Sequence, residues 1–511
     1  MSQTSADAPR LELRGMRKYF ASSGVLAVAD VSLEVWPGEV VAIIGENGTG
    51  KSTLMNLLFG VHPADAGTVL VDGQQRDIKS PQDAIDMGLG MVHQHFELVP
   101  SFTVAQNVLL GREPARAGFY DDRAANERVA ELAAESGLDL SPTQRVGSLT
   151  IGAQQRVEIL KALAADARLL IFDEPTAVLT PAEADDLVLM MRRLADTGRA
   201  VLFISHKLPE VQAVADRIIV MRQGKVVANL RRGEADDAEL ARLMVGREVQ
   251  LHTAPPREAS GDVVLHVEDV RLPGVGDTGD SGISFDLHKQ QVVGVAGVSG
   301  NGQDELIEAL AGLRALDSGK VSVRGQDLTN ARPARIRDAG VAHIAADRMH
   351  VGLNVQATLE ENAAATAFRS RMFSRFGVIK RRARRRFAEK LISDYEVRGA
   401  APTRSVASLS GGNLQKIVIG RELAGRPSIV LANQPTRGLD VGSIEFVHSV
   451  LLDACADGAG VLLVSTELDE IFALSHRIAV MYRGKLVGPF PREQMTRERV
   501  GRIMASGEDA S

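Results

Sequence analysis

The strongest constraint on this 511-residue chain is that it repeats itself once, at a domain-sized interval. Gly45-Glu46-Asn47-Gly48-Thr49-Gly50-Lys51-Ser52 recurs as Gly297-Val298-Ser299-Gly300-Asn301-Gly302-Gln303-Asp304, an offset of 252 residues from Lys51 to Gln303. Leu149-Thr150-Ile151-Gly152-Ala153 recurs as Leu409-Ser410-Gly411-Gly412-Asn413. Leu170-Ile171-Phe172-Asp173-Glu174-Pro175-Thr176 recurs as Val430-Leu431-Ala432-Asn433-Gln434-Pro435-Thr436. Phe203-Ile204-Ser205-His206 recurs as Leu463-Val464-Ser465-Thr466, 260 residues on from His206 to Thr466. Four matches in one order mean two copies of a single domain, because the period is far too long for a solenoid. Within each copy short apolar runs alternate with amphipathic stretches, which predicts an α/β fold around a partly parallel sheet. The polar, proline-bearing stretch 250–257 reads as a linker. The domains are accordingly expected at 10–246 and 263–506, with 247–262 between them.

The first copy's glycine stretch follows the apolar run 40–44 and precedes Thr53-Leu54-Met55-Asn56-Leu57-Leu58-Phe59, so it reads as strand, loop, helix. A loop of this kind wraps a polyphosphate with backbone N–H groups while a helix N-terminus faces the negative charge. Gly45, Asn47, Gly48, Gly50 and Thr53 belong to that cradle. Lys51 is placed to reach the β- and γ-phosphates, and the Ser52 hydroxyl to help hold Mg²⁺. The full eight-residue pattern in this context is hard to reconcile with a chance glycine turn.

Composition bounds the rest. With 45% apolar and 24% charged residues the chain is an ordinary globular protein, and a net charge of −6 argues against a protein that coats nucleic acid. Cys455 is the only cysteine, which excludes an intrachain disulfide and a multi-cysteine metal cluster. The N-terminal stretch 1–9 is short and polar, unlike a secretory signal. No run of about 18 apolar residues predicts a transmembrane helix, although the chain can still dock on a membrane protein.

Further landmarks follow the glycine loop in order. His93-Gln94-His95 comes first, then the short signature 149–153 followed by Gln154-Gln155-Arg156. An apolar strand ending in Asp173-Glu174 and another ending before His206 complete the set. In that order the chain resembles the ATPase domains of ABC transporters, twice over and across nearly its whole length. In detail the fused pair resembles the ATPase subunit of bacterial importers for nucleosides and ribose-type sugars. The resemblance implies two tandem domains of the phosphate-loop ATPase type, each with a mixed sheet core and a helical subdomain, binding ATP and Mg²⁺.

It also implies roles. Asp173 ends its strand where a carboxylate can sit beside the metal, and Glu174 is the candidate to polarise the attacking water. His206 would contact the γ-phosphate, and Gln94 would touch Mg²⁺ or the water and sense the transporter interface. His93 and His95 lack further clustered ligands, so zinc is not expected. Phe20 stands where the family places an aromatic that stacks on adenine, with core packing as the alternative for such a ring.

The second copy departs from the pattern at the same places. Gln303 replaces the lysine, Asp304 the hydroxyl, Asn433-Gln434 the Asp-Glu pair and Thr466 the histidine, while the glutamine position falls near Ala345-Ala346. Its signature, by contrast, is nearly ideal: Ser410, Gly411 and Gly412 are small enough for a γ-phosphate to approach closely. Asp440 keeps the family's aspartate where the first copy has Thr180. Because ABC domains pack head to tail, all intact parts would fall in one composite site. It would comprise Lys51, Ser52, Gln94, Asp173, Glu174 and His206, completed by Ser410, Gly411, Gly412 and Asp440.

The resemblance further implies two integral-membrane permease subunits and an extracytoplasmic substrate-binding protein as partners. The chain would then be peripheral, on the cytoplasmic face of the cell (inner) membrane, without nucleic acid. The segments 91–96 and 174–181 look most like nucleoside importers, with simple-sugar importers (ribose, galactose or xylose type) as the close alternative. A soluble tandem-ABC factor acting on ribosomes fits less well, since such factors usually have two competent sites and a long charged linker. A nucleotide-gated regulatory module without a transport partner is a third option. The basic run 380–386 reads as a solvated helix face, or as a contact for anionic lipid or nucleic acid.

Overall fold

The computed structural model describes residues 8–21, 24–93, 97–116, 118–176, 179, 181–248, 261–275, 282–298 and 300–509. The chain divides into two compact units, 1–249 and 250–511. Most of the expected linker, 249–260, lies outside the described residues.

In the first unit a six-stranded sheet runs in the order Lys225–Arg231, Arg217–Arg222, Val40–Ile44, Ala200–Ile204, Leu169–Asp173, Leu89–Val92. Every neighbouring pair is parallel except the edge strand Lys225–Arg231. The central strands Val40–Ile44, Ala200–Ile204 and Leu169–Asp173 are buried at all five positions. Runs without polar alternation are what a parallel strand covered on both faces requires. A second, antiparallel sheet follows the order Val25–Val35, Leu11–Phe20, Ala66–Val71, Gln74–Arg76. Leu11, Val31, Leu54, Leu58, Ile43 and Leu202 share one apolar cluster that joins this sheet, the helix Lys51–Leu58 and one face of the central sheet. Each such buried side chain stabilises the unit by about 1.5–3 kcal/mol relative to exposure. Between the strands Leu89–Val92 and Leu169–Asp173 the chain makes three helices, Val104–Val108, Asp122–Glu135 and Ile151–Ala164. Thr103 starts the first with a reciprocal cap from Gln106.

The second unit repeats the plan. Its central sheet runs Val341–Ile344, Ile429–Asn433, Gly460–Ser465, Val292–Ala296, Arg477–Tyr482, Lys485–Pro491, the same order read from the other edge. Its antiparallel sheet runs Ile283–His288, Val263–Arg271, Ser318–Val323, Gln326–Asp327, and its helices are Leu359–Ala364, Arg381–Asp394 and Gly411–Leu423. The α/β reading and the doubling both hold. Among the described residues no helix is long and apolar enough to cross a membrane.

This topology decides where chemistry can occur. Val40–Ile44, Ala200–Ile204 and Leu169–Asp173 are parallel neighbours, with Ile204 paired to Asp173 on one side and to Ile43 on the other. Their carboxyl ends therefore open on the same edge, the usual ligand position in such sheets.

Candidate active site

The glycine loop leaves the strand Val40–Ile44 and enters the helix Lys51–Leu58 at this edge. Gly50 has φ 98°, and a Cβ there would run into the Ala27 carbonyl oxygen. Gly45 is equally crowded, against the Met221 carbonyl oxygen. No other residue fits either position without moving backbone. The loop is then closed by its own lysine. Lys51 is buried, and its Nζ donates to the carbonyl oxygens of Gly45 (2.7 Å) and Glu46 (2.8 Å). Thr49 Oγ1 donates to the Glu46 carbonyl at 2.9 Å. Gly48 is exposed at the tip, with Asn47 half-buried beside it. The helix has no acidic residue in its first turn, so its positive end stays available for an anion.

Three side chains from neighbouring strand ends, Asp173, Glu174 and His206, lie beside this loop. Ser52 Oγ donates to Asp173 Oδ1 at 3.3 Å. Burial pushes the Asp173 carboxyl above its ordinary range, and the neighbouring Glu174 charge adds to this against Ser52, Lys51 and His93. Glu174 shifts the other way. Burial alone would raise it, but His206, with the charge of Lys51, outweighs burial and holds the carboxyl below its usual range. His206 Nδ1 lies 3.5 Å from Glu174 Oε1. Glu174 adopts φ 48°, a left-handed conformation costing about 1–2 kcal/mol for a residue with a Cβ. Two hydrogen bonds hold the turn: Glu174 N–H to the Ile204 carbonyl at 3.1 Å, and the buried Gln155 Nε2 to the Pro175 carbonyl at 2.6 Å. The two carboxyls thus have environments that separate their protonation, one strained toward neutrality and one held ionised.

The second unit copies this geometry with different atoms. Gln303 Nε2 reaches the Val298 carbonyl at 3.0 Å, as Lys51 reaches its own loop. Asn433 Nδ2 donates to Asp304 Oδ1 at 2.7 Å, where the first unit has Asp173 and Ser52. Gln434 has φ 46°, donates its N–H to the Val464 carbonyl at 2.8 Å, and its Oε1 accepts from Thr466 Oγ1 at 3.2 Å. Gln415 Nε2 meets the Pro435 carbonyl at 2.8 Å, matching Gln155. The scaffold is kept. What is missing is the ammonium, the pairing of a hydroxyl on the loop helix with a carboxylate on the strand, the second carboxylate and the imidazole.

The ABC transporter family profile matches residues 28–177 and 281–437, covering both loops and both signatures. The chain belongs to the ABC transporter family. Three curated relatives match nearly end to end. A nucleoside import ATP-binding protein of Lactococcus lactis subsp. cremoris is 43% identical over 93% of this chain and 94% of its own. A glucose import ATP-binding protein of Haloferax volcanii is 42% identical over 98% and 97%. A guanosine import ATP-binding protein of Bacillus subtilis is 41% identical over 97% of each.

Within this ABC chain the remaining expected residues are placed as follows. Ser410 caps the helix Gly411–Leu423, its Oγ accepting from Asn413 Nδ2 at 2.9 Å. Asp440 caps the helix Val441–Ala456 by accepting from Ser443 N–H at 2.8 Å. Gly412 packs against Ser443, and Gly411 against the Arg348 guanidinium. Thr53 is half-buried on the loop helix. The Phe20 ring is half-buried, edge-on to His62 at 5.6 Å between centroids and with Lys18 Nζ 5.6 Å from its centre. That is the margin of the antiparallel sheet and not its core. Gln94 lies outside the described residues, as do His95, Thr180 and Ser299.

Two features of this ABC site were missed from sequence. Glu210 is mostly buried and accepts from Thr176 Oγ1 (2.7 Å) and Ser205 Oγ (3.2 Å), tying the turn after Glu174 to the turn before His206. The repeat carries the signal, since Glu470 stands 260 residues after Glu210. The second is Glu183, whose carboxylate lies against Gly152 of the first unit's signature, at the position matching Ser443 in the second. A carboxylate there would oppose the approach of any anion to Gly152.

Proposed function

We propose that this chain is the ATP-hydrolysing, energy-coupling subunit of an importer for nucleosides, with a single hydrolytic site. The observation carrying this reading is the segregation of intact parts. The lysine, hydroxyl, two carboxylates and histidine survive together in the first unit, whereas the small signature survives in the second. Random decay would scatter losses over both.

In the proposed reaction Lys51 exchanges its two loop carbonyls for the β- and γ-phosphate oxygens, and the backbone N–H groups of 45–52 cradle the triphosphate. Ser52, Asp173 and Gln94 are the residues to hold Mg²⁺. The buried Asp173 carboxyl, pushed upward by desolvation and 3.3 Å from the Ser52 hydroxyl, is a group that gains from a cation. When bound, that ion would neutralise charge on the phosphates. Glu174, held ionised, orients the attacking water and accepts its proton, and His206 fixes the carboxylate while facing the γ-phosphate. Ser410, Gly411, Gly412 and Asp440 complete the site from the second unit. ATP binding draws the units together, and hydrolysis with product release lets them part.

The same reading gives the chain two integral-membrane permeases and an extracytoplasmic binding protein as partners, and places it peripherally on the cytoplasmic face of the membrane. Two of the three relatives described carry nucleoside or guanosine import in their names, and the segments 91–96 and 174–181 resemble nucleoside importers. The 42% identical glucose import protein makes a simple-sugar importer the second reading. Reconstituting the chain with its permeases and binding protein tests both. Stimulation of ATP turnover by nucleosides and not by ribose, galactose, xylose or glucose supports the first; the reverse supports the second.

A further inference from the structure

The helical part of the second unit carries a surface that ATP turnover does not use. Residues 368–386 hold eight Arg and one Lys without one Asp or Glu, in a chain whose net charge is −6. Within it a two-stranded ribbon, Ser374–Arg375 paired with Val378–Ile379, projects its tip into solvent. At the tip Phe376 is 93% exposed and Val378 70%, with Met372 exposed beside them. Arg375 stacks on the Phe376 ring at 5.4 Å from its centre. The ribbon leads into the helix Arg381–Asp394, on which Arg381, Arg382, Arg385 and Arg386 are exposed and make no ion pair among the described residues. Arg384 alone turns inward, to Glu360 at 2.6 Å.

This display is held firmly. Phe373 is buried edge-on against Phe387 of the helix, with 5.2 Å between centroids, and Lys380 N–H closes the ribbon on the Phe373 carbonyl at 2.8 Å. The fold does not demand the charge. The first unit has the same ribbon, Ala115–Arg116 with Phe119–Tyr120, and a helix of equal length, Asp122–Glu135. Its corresponding 19 residues, 109–127, hold three Arg against four carboxylates.

We propose that the ribbon and the exposed arginines of this helix form a docking surface for the headgroup region of an anionic lipid bilayer. Apolar side chains on an exposed tip, in a segment 368–386 that carries cations and no acid of its own, match the interfacial mode in which aromatic and aliphatic groups enter the acyl boundary while Lys and Arg stay among the headgroups. A nucleic-acid surface would instead present a groove with a series of stacking rings. An acidic protein partner would leave the apolar tip unexplained. The surface would orient the second unit against the membrane independently of any permease contact.

The test uses the full chain and vesicles of phosphatidylcholine, either alone or with one-third phosphatidylglycerol. Retention only on the anionic vesicles, reduced by salt, is expected. The combined Arg381→Gln, Arg382→Gln, Arg385→Gln and Arg386→Gln variant should bind at least about a hundredfold more weakly, at roughly fivefold per basic side chain. Phe376→Ser with Val378→Ser should weaken retention while ATP turnover in solution stays at the parental level. No retention on anionic vesicles, equal retention on neutral ones, or unchanged retention by the arginine variant overturns the proposal. So does tight binding of a single-stranded oligonucleotide without vesicle retention, which would assign the basic run to nucleic acid.

Discussion

Asn433 donates to Asp304 across 2.7 Å in the second unit, at the place where Ser52 donates to Asp173 across 3.3 Å in the first. The contact is conserved in shape and reversed in chemistry. In the first unit the carboxylate is on the strand and the hydroxyl on the loop helix, so both can turn an oxygen to a cation. In the second the carboxylate has moved to the helix and faces an amide whose N–H groups repel one. The repeat thus keeps the fold around this contact while exchanging the groups that make it.

Glu174 is the group on which turnover should depend most steeply. Glu174→Gln keeps size and the accepting oxygen but removes the ionised carboxylate, as Gln434 does naturally. Steady-state ATP hydrolysis should fall by about 10²–10⁴-fold, the range for loss of a positioned base, while ATP binding persists. Turnover near the parental rate would mean that the second unit hydrolyses ATP.

The two carboxyls should answer pH in opposite senses. Asp173 is raised by burial, so its favourable contribution exists below the ordinary aspartate range and is lost as pH rises through its folded value. Asp173→Asn should therefore raise Tm at neutral pH in the absence of nucleotide while abolishing turnover. Glu174 is lowered by His206 and Lys51 against burial, so its contribution is present above the ordinary glutamate range and fades as pH falls through its folded value. Glu174→Gln should lower Tm at neutral pH. Thermal melts down an acid series check both signs: the Asp173→Asn difference should already shrink above the ordinary aspartate range, whereas the Glu174→Gln difference should persist until pH falls below the ordinary glutamate range.

Restoring the lost groups of the second unit should not create a second site. Gln303→Lys, Asp304→Ser, Asn433→Asp, Gln434→Glu and Thr466→His together restore the lysine, hydroxyl, two carboxylates and histidine, though not a glutamine near Ala345-Ala346, on a scaffold with matching hydrogen bonds. The signature available to it is still Thr150-Ile151-Gly152-Ala153, with Glu183 against Gly152. Turnover measured in a Glu174→Gln background should remain at the background level until Glu183→Ser and a glycine at Ile151 are added.

Much of this was legible in the sequence because it lay in spacing. The eight-residue loop, the unbroken apolar runs ending at Ile44, Asp173 and Ile204, and their recurrence fix two parallel-sheet units before any coordinate is known. What was not legible depends on which side chains meet after folding. Nothing in its neighbours marks Glu210 as the brace between Thr176 and Ser205, since a glutamate on an amphipathic helix is ordinarily solvated. Nor does Pro181-Ala182-Glu183 show that its carboxylate comes to rest on Gly152, some 30 residues earlier in the chain. Phe20 is similar: a ring at a strand end can go inward or outward, and its half-buried place against His62 and Lys18 is set by how the antiparallel sheet curls.

In the function proposed above, the first unit's loop would work with the second unit's signature. Ser410 and Thr150 both cap signature helices, accepting from Asn413 and Ala153 N–H groups. Aspartate caps as well as serine or threonine, so Ser410→Asp and Thr150→Asp each preserve the helix while placing a negative charge at the signature. The decisive measurement is steady-state ATP hydrolysis by the two single variants of the full chain. Ser410→Asp should lose at least about a hundredfold, as when an aligned donor is removed from a developing charge, and Thr150→Asp should stay close to the parental rate. Equal loss in both, or loss confined to Thr150→Asp, would contradict the single composite site.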